Sequence, residues 1–295
     1  MMRAMMGTFR FPTHREKSGA RLKKRAHCAG CASGKRWRER NRGQSDQDRV
    51  GKGTTHDMQG LTLEICVDAV ESARAAEAGG ADRIELCAEL DKDGVTPPAE
   101  LICAVRSAVG LDVYTMVRPR AGNFVYSAKE LDAMLAAIEK AGALGADGVV
   151  LGALTAAGEV DVAAVRRLVE AARPMPVTFH RAFDVAADLD RALDQVMETG
   201  ADRVLTSGGK KSAAEAKDVL ARLVQAANGT TRIMAGGGIR RGNVHELVMA
   251  TDVREVHTSM GFGDRGAGRF VVCAGDVRAM RETLDAIEVA SAARR

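Results

Sequence analysis

The chain has 295 residues with 43 Lys/Arg against 39 Asp/Glu, enough for one large domain or two ordinary ones. The charge is unevenly divided: residues 1–60 hold 15 Lys/Arg and 5 Asp/Glu while the other 235 hold 28 and 34, so the basic balance belongs to the first segment alone. No apolar run nears the roughly 18 residues of a membrane helix, the start lacks the apolar core of an export signal, and six irregularly spaced cysteines do not read as a disulfide framework, which leaves a reducing cytoplasm as the expected setting.

Residues 1–58 show no apolar periodicity and are expected to form a basic extension of low order. Cys28 and Cys31 make a lone CxxC beside His27; a zinc site needs four ligands and no second pair follows. Basic clusters at 21–25 and 35–42 could touch an acidic surface, but the globule that follows is acidic, so nucleic acid is not expected as a partner. Met58 would make a natural start, one turn before the first clear strand. Residues 59–295 are expected to form a single domain.

From residue 61, short apolar runs alternate with helical stretches rich in Ala, Leu and charge. Strands are predicted at 62–67, 83–87, 112–118, 148–152, 177–182, 203–207, 232–235 and 254–259. Helix starts fit between them: Asp68 with Glu71, Ser127 with Glu130 and Ser212 with Glu215 have capping-box spacing, and Thr96-Pro97 reads as an N-cap followed by a first-turn proline. Gly80-Ala81-Asp82, Gly145-Ala146-Asp147 and Gly200-Ala201-Asp202 echo one another about two β–α units apart, each glycine closing a helix in a left-handed conformation. Eight such units over about 235 residues predict a (β/α)8 TIM barrel, of the α/β class. An open doubly wound sheet is the alternative, weakened because no GxGxxG follows the first strand.

In such a barrel, chemistry sits at the C-terminal ends of the strands on inward positions. Alternation turns Leu63, Ile65, Ile84 and Leu86 outward and Glu64, Cys66, Glu85 and Cys87 inward. Neighbouring strands lie about 4.8 Å apart, so the thiols should sit side by side at the rim, the carboxylates about 6.6 Å deeper. Two such carboxylates should share a proton unless a cation intervenes. Arg118 and Arg120 follow strand 3, His180 and Arg181 end strand 5, Ser207 ends strand 6, Gly236, Gly237 and Gly238 follow strand 7, and His257 shares the inward register of strand 8. Many barrels hold phosphate through backbone N–H groups of glycine loops after strands 7 and 8; here the glycine loops follow strands 6 and 7. Each feature has a structural alternative: a lone histidine is more often hydrogen-bonded than catalytic, Arg118 could simply neutralise Glu64 or Glu85, and Cys103 and Cys273 read as core. What favours function is convergence, since such interiors are normally apolar and buried charge is costly.

Together, LEICVDAVESARAAEAGGADRIELC (63–87), DGVTPP (93–98), VRPRAGNFVYS (117–127), DGVVLGAL (147–154), PVTFHRAFD (176–184), RVLTSGG (203–209) and GGGI (236–239) resemble the CutC family, named for copper homeostasis. The chain departs from common members at Ala88, Ala121 and Asn123, none of them a charged rim residue. The resemblance implies a cytoplasmic (β/α)8 barrel, a homodimer or higher homo-oligomer, with a start near Met58. It implies copper ligation at Cys66 and Cys87. Soft thiolates select Cu(I), in a near-linear site or with Met116 as a third ligand. The alternative is an enzyme acting on a small anionic substrate, phosphorylated or carboxylated. There Glu64 or Glu85 would be the base and His180 or His257 the acid. Arg118, Arg120, Arg181, Ser207 and the Gly236–Gly238 amides would hold the anion. No lysine falls within a strand run, which counts against Schiff-base chemistry.

Overall fold

A computed structural model describes residues 60–259, 261–262 and 271–292. The basic extension with its Cys28–Cys31 pair lies outside these residues. Eight parallel strands close in sequence order into one barrel: β1 (Thr62–Val67), β2 (Arg83–Leu86), β3 (Asp112–Met116), β4 (Gly148–Leu151), β5 (Val177–Phe179), β6 (Arg203–Thr206), β7 (Arg232–Gly236) and β8 (Glu255–Thr258). Closure is by β8 against β1, with Glu64 opposite His257. The helices between and after them are α1 (Val70–Ala78), α2 (Ala99–Ala108), α3 (Ala128–Ala143), α4 (Val162–Ala172), α5 (Leu189–Thr199), α6 (Lys217–Ala227), α7 (Arg241–Thr251) and α8 (Ala274–Ala292). A short antiparallel pair, β9 (Gly261–Phe262) with β10 (Val271–Val272), precedes α8.

The apolar core is the layer between strands and helices. Leu63, Ile65, Val67, Ile84, Leu86, Val149, Leu151 and Val204 all lie in it, fully buried. A second, small cluster lies inside the barrel: Cys66, Cys87, Tyr114, Met116 and Val150, with Leu90 against it. The inward and outward faces follow the predicted alternation.

Several strands are shorter than predicted because the chain turns as soon as it reaches the mouth. β5 stops at Phe179, and a 3-10 turn, Arg181–Val185, follows with His180 as its N-cap. The repeated Gly-Ala-Asp has a physical role at the opposite end. Gly80, Gly145 and Gly200 take φ of +86°, +88° and +79°, where side chains are strained. Each following aspartate then accepts a hydrogen bond from the preceding strand: Asp82 from Leu63 N at 2.7 Å, Asp147 from Val113 N at 3.0 Å and Asp202 from Val177 N at 2.7 Å.

Of the predicted caps, only Ser127 with Glu130 forms the reciprocal box. Asp68 caps nothing: α1 starts after Ala69, which has no side-chain cap. Ser212 leads only a 3-10 turn and makes no cap bond. α2 begins after Pro98, and Thr96 is used elsewhere: its Oγ1 accepts from Arg118 N at 2.8 Å and donates to Arg118 O at 3.0 Å. A hydroxyl flanked by two extended segments joins them rather than waiting for a helix two residues on. The assignment of Cys103 and Cys273 to the core also fails, since Cys103 is half-buried and Cys273 exposed.

Candidate functional site

Side chains on alternate residues of the parallel strands stack in layers along the barrel axis. In the deepest layer, Glu255 of β8 accepts from Arg83 Nη2 at 2.6 Å and from Arg203 Nε at 2.9 Å. Both guanidiniums lie over the Tyr114 ring, at 4.8 and 5.2 Å from its centroid, a cation–π arrangement strengthened by burial. The ring occupies the space a side chain on β4 would need: a Cβ on Gly148 would lie 2.6 Å from it.

One layer up, Arg83 also pairs through Nε with Glu64, and Glu64 Oε1 lies 2.7 Å from His257 Nδ1. His257 Nε2 lies 3.8 Å from Glu85 Oε2. Burial alone would raise the Glu64 carboxyl, but Arg83 and His257 outweigh it and hold Glu64 below the usual carboxylate range. For Glu85, burial wins and its pKa rises. Burial would lower His257, but the charge of Glu85 and the bonds to Cys66 and Glu64 raise it well above its ordinary value. The carboxylate pair is thus divided by His257, which faces both, while the guanidinium paired with Glu64 is that of Arg83 rather than Arg118.

At the mouth, Cys66 Sγ and Cys87 Sγ are 3.6 Å apart and buried. The mutual hydrogen bond and burial push the Cys66 thiol well above the ordinary cysteine value. Two overlapping groups of potential ligand atoms lie within 4.8 Å of one another: Cys66, Glu85 and Cys87, and Glu64, Glu85 and His257. Glu85 belongs to both, and its Oε1 is buried without a hydrogen-bond partner.

The other predicted residues fall elsewhere on the rim. His180 is 3% exposed. Its Nδ1 accepts from Ala182 N at 3.2 Å, so the neutral ring carries its proton on Nε2, which is buried with no acceptor. Burial, and the nearby Arg118 charge, lower its pKa to about 3. The Phe124 ring stands 4.9 Å from the His180 ring and 4.9 Å from the Arg118 guanidinium. Arg118 Nη1 donates to the carbonyls of Lys92, Asp93 and Gly94 and Nη2 to Gly122, while Nε has no partner. It therefore anchors the loop after β2 instead of neutralising Glu64 or Glu85. Arg120 pairs with Glu130 at 2.6 Å. Arg181 pairs with Asp184 at 2.7 Å and donates to Ser207 at 2.9 Å. Gly236 faces inward, where a Cβ would strike Leu205 at 2.4 Å. Gly237 and Gly238 take φ of +91° and +69°. Arg83, Arg203, Glu255 and Tyr114 escaped the sequence reading, although Arg83 has the same parity as Glu85 and Cys87.

The sequence model of the CutC family matches residues 61–262. A CutC protein of Chromobacterium violaceum is 42% identical over 241 residues, covering 76% of this chain and 98% of that one. The human protein named copper homeostasis protein cutC homolog is 43% identical over 211 residues, covering 72% and 77%. The solved structure of a CutC protein from Streptococcus agalactiae superposes with a TM-score of 0.65 at 32% identity, covering 68% of this chain and 98% of that one. A thiamine phosphate pyrophosphorylase from Pyrococcus furiosus, at 19% identity and TM-score 0.53, shares the fold.

Proposed function

The chain belongs to the CutC family, and from that premise we propose that it binds Cu(I) through the Cys66 and Cys87 thiolates at the C-terminal rim of the barrel. The observation that carries this reading is the buried thiol pair, 3.6 Å between sulfurs, with Met116 in the same cluster. Soft sulfur donors suit Cu(I), and the apolar wall keeps water from a bound ion. A near-linear arrangement does not suit the pair as it stands. Two opposed bonds of about 2.3 Å need sulfurs about 4.6 Å apart, so the thiols would hold an ion in a bent arrangement with Met116 as third soft donor. Binding must displace the thiol protons, so affinity rises with pH. Anaerobic Cu(I) titration against a competing chelator tests this. Cys66→Ser/Cys87→Ser should weaken binding by orders of magnitude, and equal affinity would sink the thiol site.

A second reading has its own support. His180 Nε2 and Arg118 Nε are buried donors without acceptors, and such groups are rarely left unpaired without a reason. They suit an oxygen of a small phosphorylated or carboxylated molecule, with Glu64, Glu85 or His257 as acid–base groups and Arg120, Arg181, Ser207 and the Gly236–Gly238 amides around it. Inorganic phosphate and acetate should then raise Tm in the wild type and not in His180→Phe; no rise in either would remove this reading. We further place the chain in the cytoplasm, where both thiols stay reduced, as a homo-oligomer; light scattering giving a monomer mass would refute the latter.

A further inference from the structure

We propose that the same mouth is a four-donor site for a divalent cation of the zinc class, held by Cys66 Sγ, Cys87 Sγ, Glu85 and His257 Nε2. The inference rests on reading the two cysteines as metal ligands and goes beyond it by adding an oxygen and a nitrogen donor and a different ion. Three independent features of the site lead there.

The first is an unexplained atom. Glu85 is 3% exposed, its Oε1 has no partner, and it stands within 4.8 Å of ligand atoms on both thiols and on His257. A buried carboxylate oxygen with nothing to bond calls for a cation. The second is orientation. His257 Nδ1 is held 2.7 Å from Glu64, and Glu64 is held by Arg83. This turns the Nε2 edge toward Glu85, 3.8 Å away, where a bound cation takes the place of the ring proton as it does of the thiol protons. Metal-ligating histidines are commonly aligned through a carboxylate in this way. The third is angle: two metal–sulfur bonds of about 2.3 Å spanning 3.6 Å meet at about 100°, near tetrahedral and far from linear.

The donor set decides between ions: two sulfurs with one carboxylate oxygen and one imidazole nitrogen suit a tetrahedral zinc-class ion, whereas Cu(I) is served by the soft sulfurs alone. Arg83 standing against Glu64 also explains why the cation belongs on the thiol side of Glu85. An ion on the Glu64 side would face a fixed guanidinium.

Co(II) and Zn(II) are the probes, added anaerobically to the full chain under a phosphine reductant. Wild type should give intense tetrahedral Co(II) visible bands with sulfur-to-cobalt charge transfer, displaced by Zn(II). Zinc X-ray absorption should show two sulfur and two nitrogen or oxygen neighbours. His257→Gln and Glu85→Gln should each weaken Zn(II) at least about tenfold, as should the outer Glu64→Gln, while Cu(I) affinity stays with the cysteines. A pale six-coordinate Co(II) spectrum, a zinc shell without sulfur, or unchanged Zn(II) affinity in His257→Gln would overturn the proposal. The wild-type spectra decide the matter should a variant fail to fold. Loss of Cu(I) binding in the cysteine variant together with any of those results leaves the copper reading standing and removes this one.

Discussion

Arg83 reaches from Glu64 to Glu255 and lies over Tyr114, with all four side chains buried. Breaking a buried pair leaves an uncompensated charge, so Arg83→Met should lower stability by about 3–5 kcal/mol, read as a fall in urea midpoint at constant m. A loss below about 1 kcal/mol would show that water reaches the interior. His180 supplies a pH dependence. Its folded pKa of about 3 lies below the ordinary histidine value of 6.5, so the unfolded chain binds the extra proton between those values. The contribution is fully present above pH 6.5 and is lost as pH falls toward 3, by as much as about 5 kcal/mol. Urea midpoints measured across that window should fall more steeply in the wild type than in His180→Gln; parallel slopes would show that the ring accepts a proton in the folded state.

The β–α unit is the scale at which the Gly-Ala-Asp echo makes sense. Each aspartate ties the start of one strand to the start of its neighbour, and each is met by an arginine: Asp82 by Arg281, Asp147 by Arg106 and Asp202 by Arg173. Asp202→Ala removes the bond to Val177 N and should cost about 1–3 kcal/mol. Asp202→Asn keeps an acceptor and should cost less, a ranking that thermal melts can check. β4 is constrained from inside the barrel. Gly148→Ala drives a methyl into the Tyr114 ring, 2.6 Å away, at about 1–3 kcal/mol of overpacking. Tyr114→Leu should recover part of that loss in the double variant, and strict additivity of the two would show that they do not meet.

Over the whole molecule, the described residues close the barrel through pairings within residues 62–258. A chain beginning at Met58 should therefore keep the far-UV spectrum and Tm of the full chain to within a few degrees; loss of the cooperative transition would show that the basic segment is needed to fold. The barrel was legible in the sequence because eight short apolar runs separated by helical stretches admit few closed solutions, and period-two alternation assigns every strand residue a face. That alternation alone placed Cys66 beside Cys87 and Glu85 beneath them, and carried one step further back it would have marked Arg83. Partnership was not legible. Whether Arg83 or Arg118 answers Glu64, whether His257 or His180 faces the thiols, and whether Thr96 caps α2 or clasps β3 depend on which strands meet across the cylinder and on where each loop turns. Local sequence determines the direction of a side chain; only closure of the barrel, joining residues nearly two hundred positions apart such as Glu64 and His257, determines what that side chain meets.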